Sequence, residues 1–126
     1  MARLRDRVGA IVEREGLGFQ QYQVLRLLDG AGEAGLPTLA IAQRLVERAP
    51  GVTRLADRLE ARGLIGRARG KDRRQVICRI TAEGRKLLAS LDQQIDPVLE
   101  GAFAALTHHE IPALVHLLNR IRNRLA

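Results

Sequence analysis

The side chains with the clearest capacity for chemistry stand in one short basic stretch, GRARGKDRR, which covers residues 66–74. It holds five basic side chains and a single acid, Asp72. The basic residues are Arg67, Arg69, Lys71, Arg73 and Arg74. Such a run is either a solvated turn or a surface that contacts a polyanion. Asp72 is most simply a local partner that holds an arginine in place, because a lone acid facing phosphate would be repelled.

The segment before this stretch, VTRLADRLEARGLI, predicts an amphipathic helix with a polar outer face. Its apolar side chains recur at i, i+3, i+4 and i+7 and form one stripe, made of Val52, Leu55, Ala56 and Leu59. The opposite face carries Thr53, Arg54, Asp57 and Arg58. These four are either ordinary surface residues, with Asp57 as a salt-bridge partner, or contacts to DNA. Exposed ion pairs contribute only about 0–1 kcal/mol, so stability gives little reason for them and DNA contact is favoured.

Charge is concentrated around this helix and the basic stretch. The chain has a net charge of +7, and residues 54–79 carry nine Arg or Lys against three Asp or Glu, which is +6 of that total. A positive field confined to one part of an otherwise balanced protein indicates a polyanionic partner, and nucleic acid is the commonest one.

Composition also narrows the class of protein. With 126 residues, of which 46% are hydrophobic, we expect one domain with its own core. No stretch approaches the roughly 18 apolar residues of a membrane span, and the opening MARLRDRVGAIVER lacks the apolar centre of a secretory signal, so we expect a cytosolic protein without membrane contact. No Ser-His-Asp order, phosphate loop or paired carboxylate favours an enzyme, and no cofactor is expected.

The candidate metal and redox residues are few. A single cysteine, Cys78, excludes an internal disulfide and a multi-cysteine metal site. Because Cys78 falls on the apolar side of a predicted strand, a raised thiol pKa and low reactivity are expected. His108 and His109 are adjacent on one helix and point in different directions, and neither they nor His116 complete a ligand set, so no metal is predicted.

The remaining pattern predicts a mainly helical fold with a small two-stranded β-wing. Helices are expected over residues 1–15, 19–30 and 38–49, and Gly16 and Gly18 fit a stop after the first of them. The third helix is expected to have Leu39, Ala42, Leu45 and Val46 facing inward and to be ended by Pro50 and Gly51. The segment GAGEAGLP is predicted to be a loop. After the amphipathic helix, Gly63 predicts a stop, and two strands flank the basic stretch, the second with Val76, Cys78 and Ile80 on one face. A long helix from Thr81 is expected to kink or break at Pro97.

The C-terminal helix has more apolar surface than a small domain needs internally. Thr107 and Glu110 have the spacing of a capping box, which predicts where this helix begins. Its apolar stripe consists of Ile111, Leu114, Val115, Leu118, Ile121 and Leu125. An identical stripe from a second copy, related by a two-fold axis, would cover it, so these residues are the predicted dimer contacts.

Three stretches, FQQYQVLRLL, VTRLADRLEARGLIGRARGKDRRQVICRIT and AEGR, together resemble the MarR family of transcriptional regulators over roughly residues 17–126. The middle stretch resembles the family's recognition helix, its D-x-R wing tip, and a strand that ends in Ile-Thr with a glycine three residues on. The matching positions are Val52 to Leu64, Asp72 and Arg74, Ile80-Thr81 and Gly84.

The resemblance implies a winged helix-turn-helix lobe over residues 37–81 and helical dimerisation regions over residues 1–30 and 82–126. It also implies a triangular homodimer that binds a pseudo-palindromic double-stranded operator and releases it when a small-molecule effector or an oxidant acts. The recognition helix and the basic ribbon are then the candidate DNA contacts, with Arg74 in the minor groove, Asp72 orienting the ribbon and the other basic residues of the ribbon nearer phosphates.

Two alternatives stay open at this stage. The aromatic residues Phe19, Tyr22 and Phe103 either line an effector pocket or, as we favour, pack in the core. The protein is either a DNA-binding repressor or a winged-helix protein-interaction module without specific DNA binding. The concentrated charge favours the repressor.

Overall fold

A computed structural model of the chain describes residues 2–45 and 51–125; the side chains of residues 2, 3, 5, 122, 124 and 125 lie outside the described part. In chain order the helices and strands are α1 (Ala2–Arg14), α2 (Phe19–Ala31), β1 (Leu36–Pro37), α3 (Thr38–Arg44), α4 (Val52–Ala61), β2 (Ile65–Arg69), β3 (Val76–Ile80), α5 (Ala82–Ala102) and α6 (Glu110–Leu125). A single 3₁₀ turn, Gly32–Ala34, follows α2. The predicted mainly α fold is confirmed.

The core lies where α1, α2, α4 and α5 meet the sheet. Val12 and Leu25 are fully buried from the first two helices, Leu59 from α4 and Leu91 from α5. The predicted stop after α1 is confirmed, because Gly16 takes a φ of +77° that favours glycine. Helix α4 therefore packs against the other helices through its apolar stripe.

The sheet has three strands, so the prediction of a two-stranded ribbon was incomplete. The strand order is β1-β3-β2 and both pairs are antiparallel, with Leu36 opposite Cys78 and Ile65 opposite Ile80. β1 lies inside the segment predicted to be a loop. A two-residue strand is too short to show alternation, and Pro37, which has no N–H to donate, is tolerated there because the strand is at the sheet edge.

Two residues predicted to face inward are exposed. Leu39 on α3 is 69% exposed, because the buried side of this seven-residue helix is set by Ile41, and a residue two positions away points to nearly the opposite side. Val76 is 40% exposed, because it pairs with Arg69 at the open end of the ribbon, beyond the core. Helix α3 ends at Arg44 and Leu45 has an extended backbone, so the prediction of a helix that runs to residue 49 and ends at Pro50 is wrong. The predicted inward position of Val46 lies outside the described residues.

Helix α5 runs through Pro97 without the break that was one of the two outcomes predicted there. Its N-cap is Thr81, whose Oγ1 accepts a hydrogen bond from the Gly84 backbone N–H at 3.1 Å and donates one to the Gly63 carbonyl at 2.6 Å. The helix therefore packs closely over the end of α4. A Cβ at Gly84 would lie 2.3 Å from the Leu64 carbonyl oxygen.

Helix α6 leaves its apolar side uncovered within the chain. The predicted capping box is confirmed: the Thr107 N–H donates to Glu110 Oε1 at 2.9 Å, and the Glu110 N–H donates to Thr107 Oγ1 at 3.2 Å. Of the predicted stripe, Leu114 is half-buried, whereas Val115, Leu118 and Ile121 are 51–57% exposed. Within the described part of the chain, no helix is long and apolar enough to cross a membrane.

Candidate nucleic-acid interface

Helix α4 presents the polar face that the sequence predicts. Val52, Ala56 and Leu59 are buried, while the opposite residues Thr53, Arg54, Asp57 and Arg58 are exposed. The helix begins after Gly51, whose φ is +95° and whose carbonyl accepts hydrogen bonds from the backbone N–H groups of Arg54 and Leu55 at 2.9 and 3.1 Å. The first turn of α4 therefore exposes two polar side chains, those of Thr53 and Arg54.

The basic ribbon consists of β2, β3 and the turn between them. The turn is closed by backbone hydrogen bonds from the Gly70 N–H to the Gln75 carbonyl at 3.0 Å and from the Gln75 N–H to the Asp72 carbonyl at 2.9 Å. Asp72 Oδ1 also accepts a hydrogen bond from the Arg74 N–H at 3.0 Å. Asp72 therefore contacts an arginine, as expected, but it does so through the backbone N–H of Arg74. Four basic side chains project from this turn and the adjoining strand end, all exposed: Arg69, Lys71, Arg73 and Arg74.

Arg67, the fifth basic residue of the stretch, lies in a different environment. Its Nη2 donates to Asp57 Oδ1 at 2.6 Å and to Glu60 Oε1 at 2.9 Å, and its side chain is only 22% exposed. Hydrogen bonding to Glu60 and then to Asp57 raises the pKa of Arg67 above its usual range, and the hydrogen bond from Arg67 lowers the pKa of Glu60. We call these three residues the Arg67 cluster; it links α4 to β2.

Sequence reasoning assigned Asp57 and Arg67 correctly to neighbouring elements without pairing them, and it missed Glu60. The i, i+3 spacing of Asp57 and Glu60 places both acids on one side of α4, which was the available signal. The residue that they would face depended on how β2 returns along the helix. With two acids around one cation, the cluster carries a net negative charge, and the positive field of the interface comes from the α4 surface and the ribbon turn.

The predicted strand position of Cys78 is confirmed. The thiol is fully buried, its Sγ lies 3.8 Å from Thr38 Oγ1, and burial raises its pKa. His108, His109 and His116 are exposed. Among residues 2–45 and 51–125, no three His, Cys, Asp or Glu side chains come together as a metal site.

Phe19 and Tyr22 pack against the core and against each other, with ring centroids 6.2 Å apart, whereas Phe103 is more exposed. Phe19 lines an open cleft of about 730 Å³ between the turn after α1 and the outer side of α4, where Leu55, Arg58 and Arg62 form the other wall. Tyr22 packs under the Arg26 guanidinium, 5.3 Å from the ring centroid, and its hydroxyl accepts a hydrogen bond from Arg26 Nε at 2.9 Å. Phe103 lies just beyond the end of α5 and is 36% exposed, so the favoured prediction that it packs in the core is wrong.

A short helix, a second helix with an exposed polar face, and an antiparallel basic ribbon define a winged helix-turn-helix protein. A family model described as the MarR family matches residues 15–75. A MarR transcription factor of known structure from Planctomyces limnophilus is 38% identical, with 93% of this chain and 88% of that chain covered and a TM-score of 0.66. The chain belongs to the MarR family of transcriptional regulators, as its sequence motifs predicted.

Two further relatives show how far the similarity extends. The HTH-type transcriptional regulator FarR of Neisseria gonorrhoeae is 29% identical over 109 residues, which is 86% of this chain and 73% of that protein. The S. aureus MepR–DNA complex shares the fold at 22% identity, with a TM-score of 0.76 over 98% of this chain and 90% of that chain.

Proposed function

We propose that the protein is a homodimeric, sequence-specific repressor that binds a pseudo-palindromic double-stranded operator. The observation that carries this proposal is the exposed polar face of α4 directly beside a ribbon turn with four exposed basic side chains. A structural neighbour, MepR, was solved in complex with DNA, which supports the same use of the fold here. Family membership supports a regulatory, non-enzymatic role, and we place it in the cytoplasm, where promoter DNA is accessible.

Helix α4 is the proposed element for reading bases. The major groove is about 12 Å wide and admits one α-helix, and an arginine can donate two hydrogen bonds to the O6 and N7 atoms of guanine. Thr53 and Arg54 lie in the first turn of the helix, and Arg58 lies one turn further on the same exposed side. In a helix-turn-helix the N-terminal residues of the second helix contact base edges, so Arg54 is the first candidate for base contact.

The ribbon turn is the proposed contact to the neighbouring minor groove. Narrow A·T-rich grooves concentrate negative potential and attract an inserted arginine. The hydrogen bond from the Arg74 backbone to Asp72 supports a fixed backbone at this position. We assign Arg74 to the groove, and Arg69, Lys71 and Arg73 to phosphates.

Arg67 was predicted to lie near phosphate, and its surroundings support a different proposal. The two carboxylates outweigh the positive charge of Arg67, so the cluster as a whole does not attract a phosphate. The short distances of 2.6 and 2.9 Å favour a fixed geometry. We propose that Arg67 positions β2 against α4. The two DNA-contacting elements would then approach the duplex as one unit.

The dimer interface is proposed along α6, with α1 and α5 completing the helical regions at residues 1–30 and 82–126. Exposed apolar side chains at Val115, Leu118 and Ile121 support this assignment, because a contiguous apolar face on one helix is normally covered. Ile111 and the half-buried Leu114 continue the same face. The side chain of Leu125, also predicted to take part, lies outside the described residues.

Release from DNA by a small molecule or an oxidant completes the proposal. The open cleft beside Phe19 supports the small-molecule route, since a ligand bound there would contact both α4 and the turn after α1. The oxidant route has less support, because the thiol of Cys78 is buried and its raised pKa disfavours the reactive thiolate.

The deciding experiment selects bound sites from random duplexes and then measures the salt dependence of binding to the recovered site. We expect an inverted-repeat motif with half-sites about 10–10.5 bp apart, centre to centre. We also expect log Kobs to fall linearly with log salt, with a slope near −0.9 per phosphate contact. No enriched motif, together with an affinity that stays flat as salt rises, would show instead that the fold serves as a protein-interaction module.

A further inference from the structure

Arg62 joins the recognition helix to the end of α1. It caps the C-terminal end of α4, and its guanidinium reaches a part of the chain about forty-six residues earlier: Nη1 donates to the Gly16 carbonyl at 2.9 Å and Nη2 donates to the Glu15 carbonyl at 3.2 Å. Both bonds go to main-chain oxygens, so they fix Arg62 to the path of the backbone. The contact was not predicted from the sequence.

The carbonyls that Arg62 contacts lie just beyond the last turn of α1. That turn closes with hydrogen bonds from the Leu17 N–H to the Val12 carbonyl at 3.1 Å and from the Gly16 N–H to the Glu13 carbonyl at 2.9 Å, the pattern of a Schellman motif. The carbonyls of Glu15 and Gly16 lie at the C-terminal end of α1, where a cation also interacts favourably with the helix dipole. Arg62 therefore occupies a position that suits a guanidinium.

The same turn is contacted from α5 and leads directly into α2. Gln94 Nε2 on α5 donates to the Glu15 side chain at 3.5 Å, and the Gly18 N–H donates to Gln21 Oε1 at 2.9 Å where α2 begins. The turn of residues 15–18 thus lies within the helical regions proposed to dimerise, and it forms the junction with the DNA-binding lobe where Arg62 contacts it. Arg62 is the side chain through which α4 reaches that junction.

We propose that Arg62 is a positioning residue that sets the half-site spacing the dimer accepts. The inference rests on the proposed function, since it needs a dimer with one recognition helix per half-site. In such a dimer the distance between the two α4 helices depends on how each is held relative to the dimerisation helices. One base pair changes the half-site separation by about 3.4 Å along the axis and about 35° around it, so a rigid junction rejects it. Arg62 itself does not contact DNA in this proposal, because its donors face the α1 turn.

The test compares operators of different central length. The recovered operator is made with one central base pair inserted or deleted, and binding is measured for the parent, Arg62→Ala, Arg62→Lys and a matched control, Arg14→Ala. Arg14 is an exposed arginine near the same turn, and its Nε donates to the Ala10 carbonyl within α1. It loses the same charge without touching the junction.

For the parent and Arg14→Ala we expect a loss of at least about tenfold in affinity when the spacing changes. For Arg62→Ala we expect affinity for the natural spacing to fall by about three- to tenfold, and the penalty for altered spacing to shrink to about threefold or less. Arg62→Lys keeps one cationic donor, so its spacing penalty should lie between those of the parent and Arg62→Ala. The salt slope should be unchanged in all three variants, because no phosphate contact is removed.

The inference is overturned if Arg62→Ala, or Arg62→Lys should the alanine variant not fold, keeps the parental spacing penalty. It is also overturned if the salt slope drops by one contact, because Arg62 would then touch phosphate. If the parent shows no spacing preference, the proposed dimeric function itself is contradicted. If the parent and every variant share a sharp spacing preference, only the proposed role of Arg62 is contradicted.

Discussion

Replacing Arg67 by glutamine removes a charge that the sequence places near phosphate and that the structure pairs with two carboxylates. Asp57 and Glu60 lie 2.6 and 2.9 Å from the same guanidinium nitrogen. The two roles make different predictions. A phosphate contact contributes to the salt dependence of DNA binding and little to stability, whereas an ion-paired positioning residue contributes to stability and to affinity without a phosphate contact of its own.

The size of the stability effect follows from exposure. The Arg67 side chain is 22% exposed but its partner Asp57 is 55% exposed, so solvent screens the pairing. We therefore expect the loss of Arg67 to lower the free energy of unfolding by about 1 kcal/mol, the upper end of the range for exposed ion pairs. For a domain of this size the corresponding change in melting temperature is about 3–5 °C.

The DNA assay measures affinity across a salt series for Arg67→Gln and for a matched control, Lys71→Gln. Lys71 is exposed at the ribbon turn, and the described residues give it no hydrogen-bond or ion-pair partner. We expect Arg67→Gln to bind about five- to tenfold more weakly with a nearly unchanged slope, because the ribbon is no longer fixed against α4. Lys71→Gln should reduce the slope by about 0.9 with an unchanged melting temperature.

A second variant separates loss of position from simple repulsion. Arg67→Gln leaves two uncovered carboxylates beside the DNA, and adding Glu60→Gln removes one of them. If repulsion causes the weaker binding, the double variant recovers affinity; if position is lost, it does not. The positioning role would be refuted if Arg67→Gln kept the parental melting temperature and lost one phosphate contact's worth of salt slope, about 0.9. Arg67 would then be a phosphate contact.

Three other predictions concern recognition, assembly and packing. Arg74→Ala should lose preference for A·T pairs flanking the half-sites and Arg54→Ala should lose preference inside them, each by about 1–3 kcal/mol in binding to altered operators; parental binding by Arg74→Ala to every operator would leave the ribbon a solvated turn. Leu118→Asp places a charge on the α6 face, so sedimentation should show dissociation or unfolding, and a folded dimer with unchanged DNA affinity would place the interface elsewhere. Gly84→Ala should lower the free energy of unfolding by about 1–3 kcal/mol in denaturant titration, since its Cβ would meet the backbone carbonyl before β2. The control Gly101→Ala, with nothing within 4 Å of its Cβ, should be neutral or stabilising, and equal behaviour of the two would contradict the packing argument.

Features carried by local periodicity and turn chemistry could be predicted from the sequence. The outward face of α4 followed from apolar spacing, the start of α6 from the Thr107 and Glu110 pair, and the end of α1 from Gly16. The concentration of positive charge in residues 54–79 followed from counting the charged residues in the sequence. Together with the family motifs, these features predicted a winged helix-turn-helix with its six helices and the two ribbon strands in the correct order.

Short elements and element ends were decided by packing. β1 is two residues long and exists because β3 offers it an open edge, which no window of sequence shows. Leu39 is an apolar residue at a helical position, yet it is exposed, because the direction of a two-turn helix is set by the one side chain that enters the core. Val76 continues the strand alternation past the point where the core ends.

The partners of individual charges were decided only by the tertiary structure. From the sequence, Arg67 was one of five similar basic residues and Arg62 was an unremarked helix residue. Their surroundings depend on where β2 and the α1 turn lie against α4, and charge interactions fall off over a few ångströms, so residues ten or forty-six positions apart gain their meaning only when folding brings them together. The sequence by itself determined which surface is basic and which helix presents it; the fold determined which of those charges stay free and which hold the surface in shape.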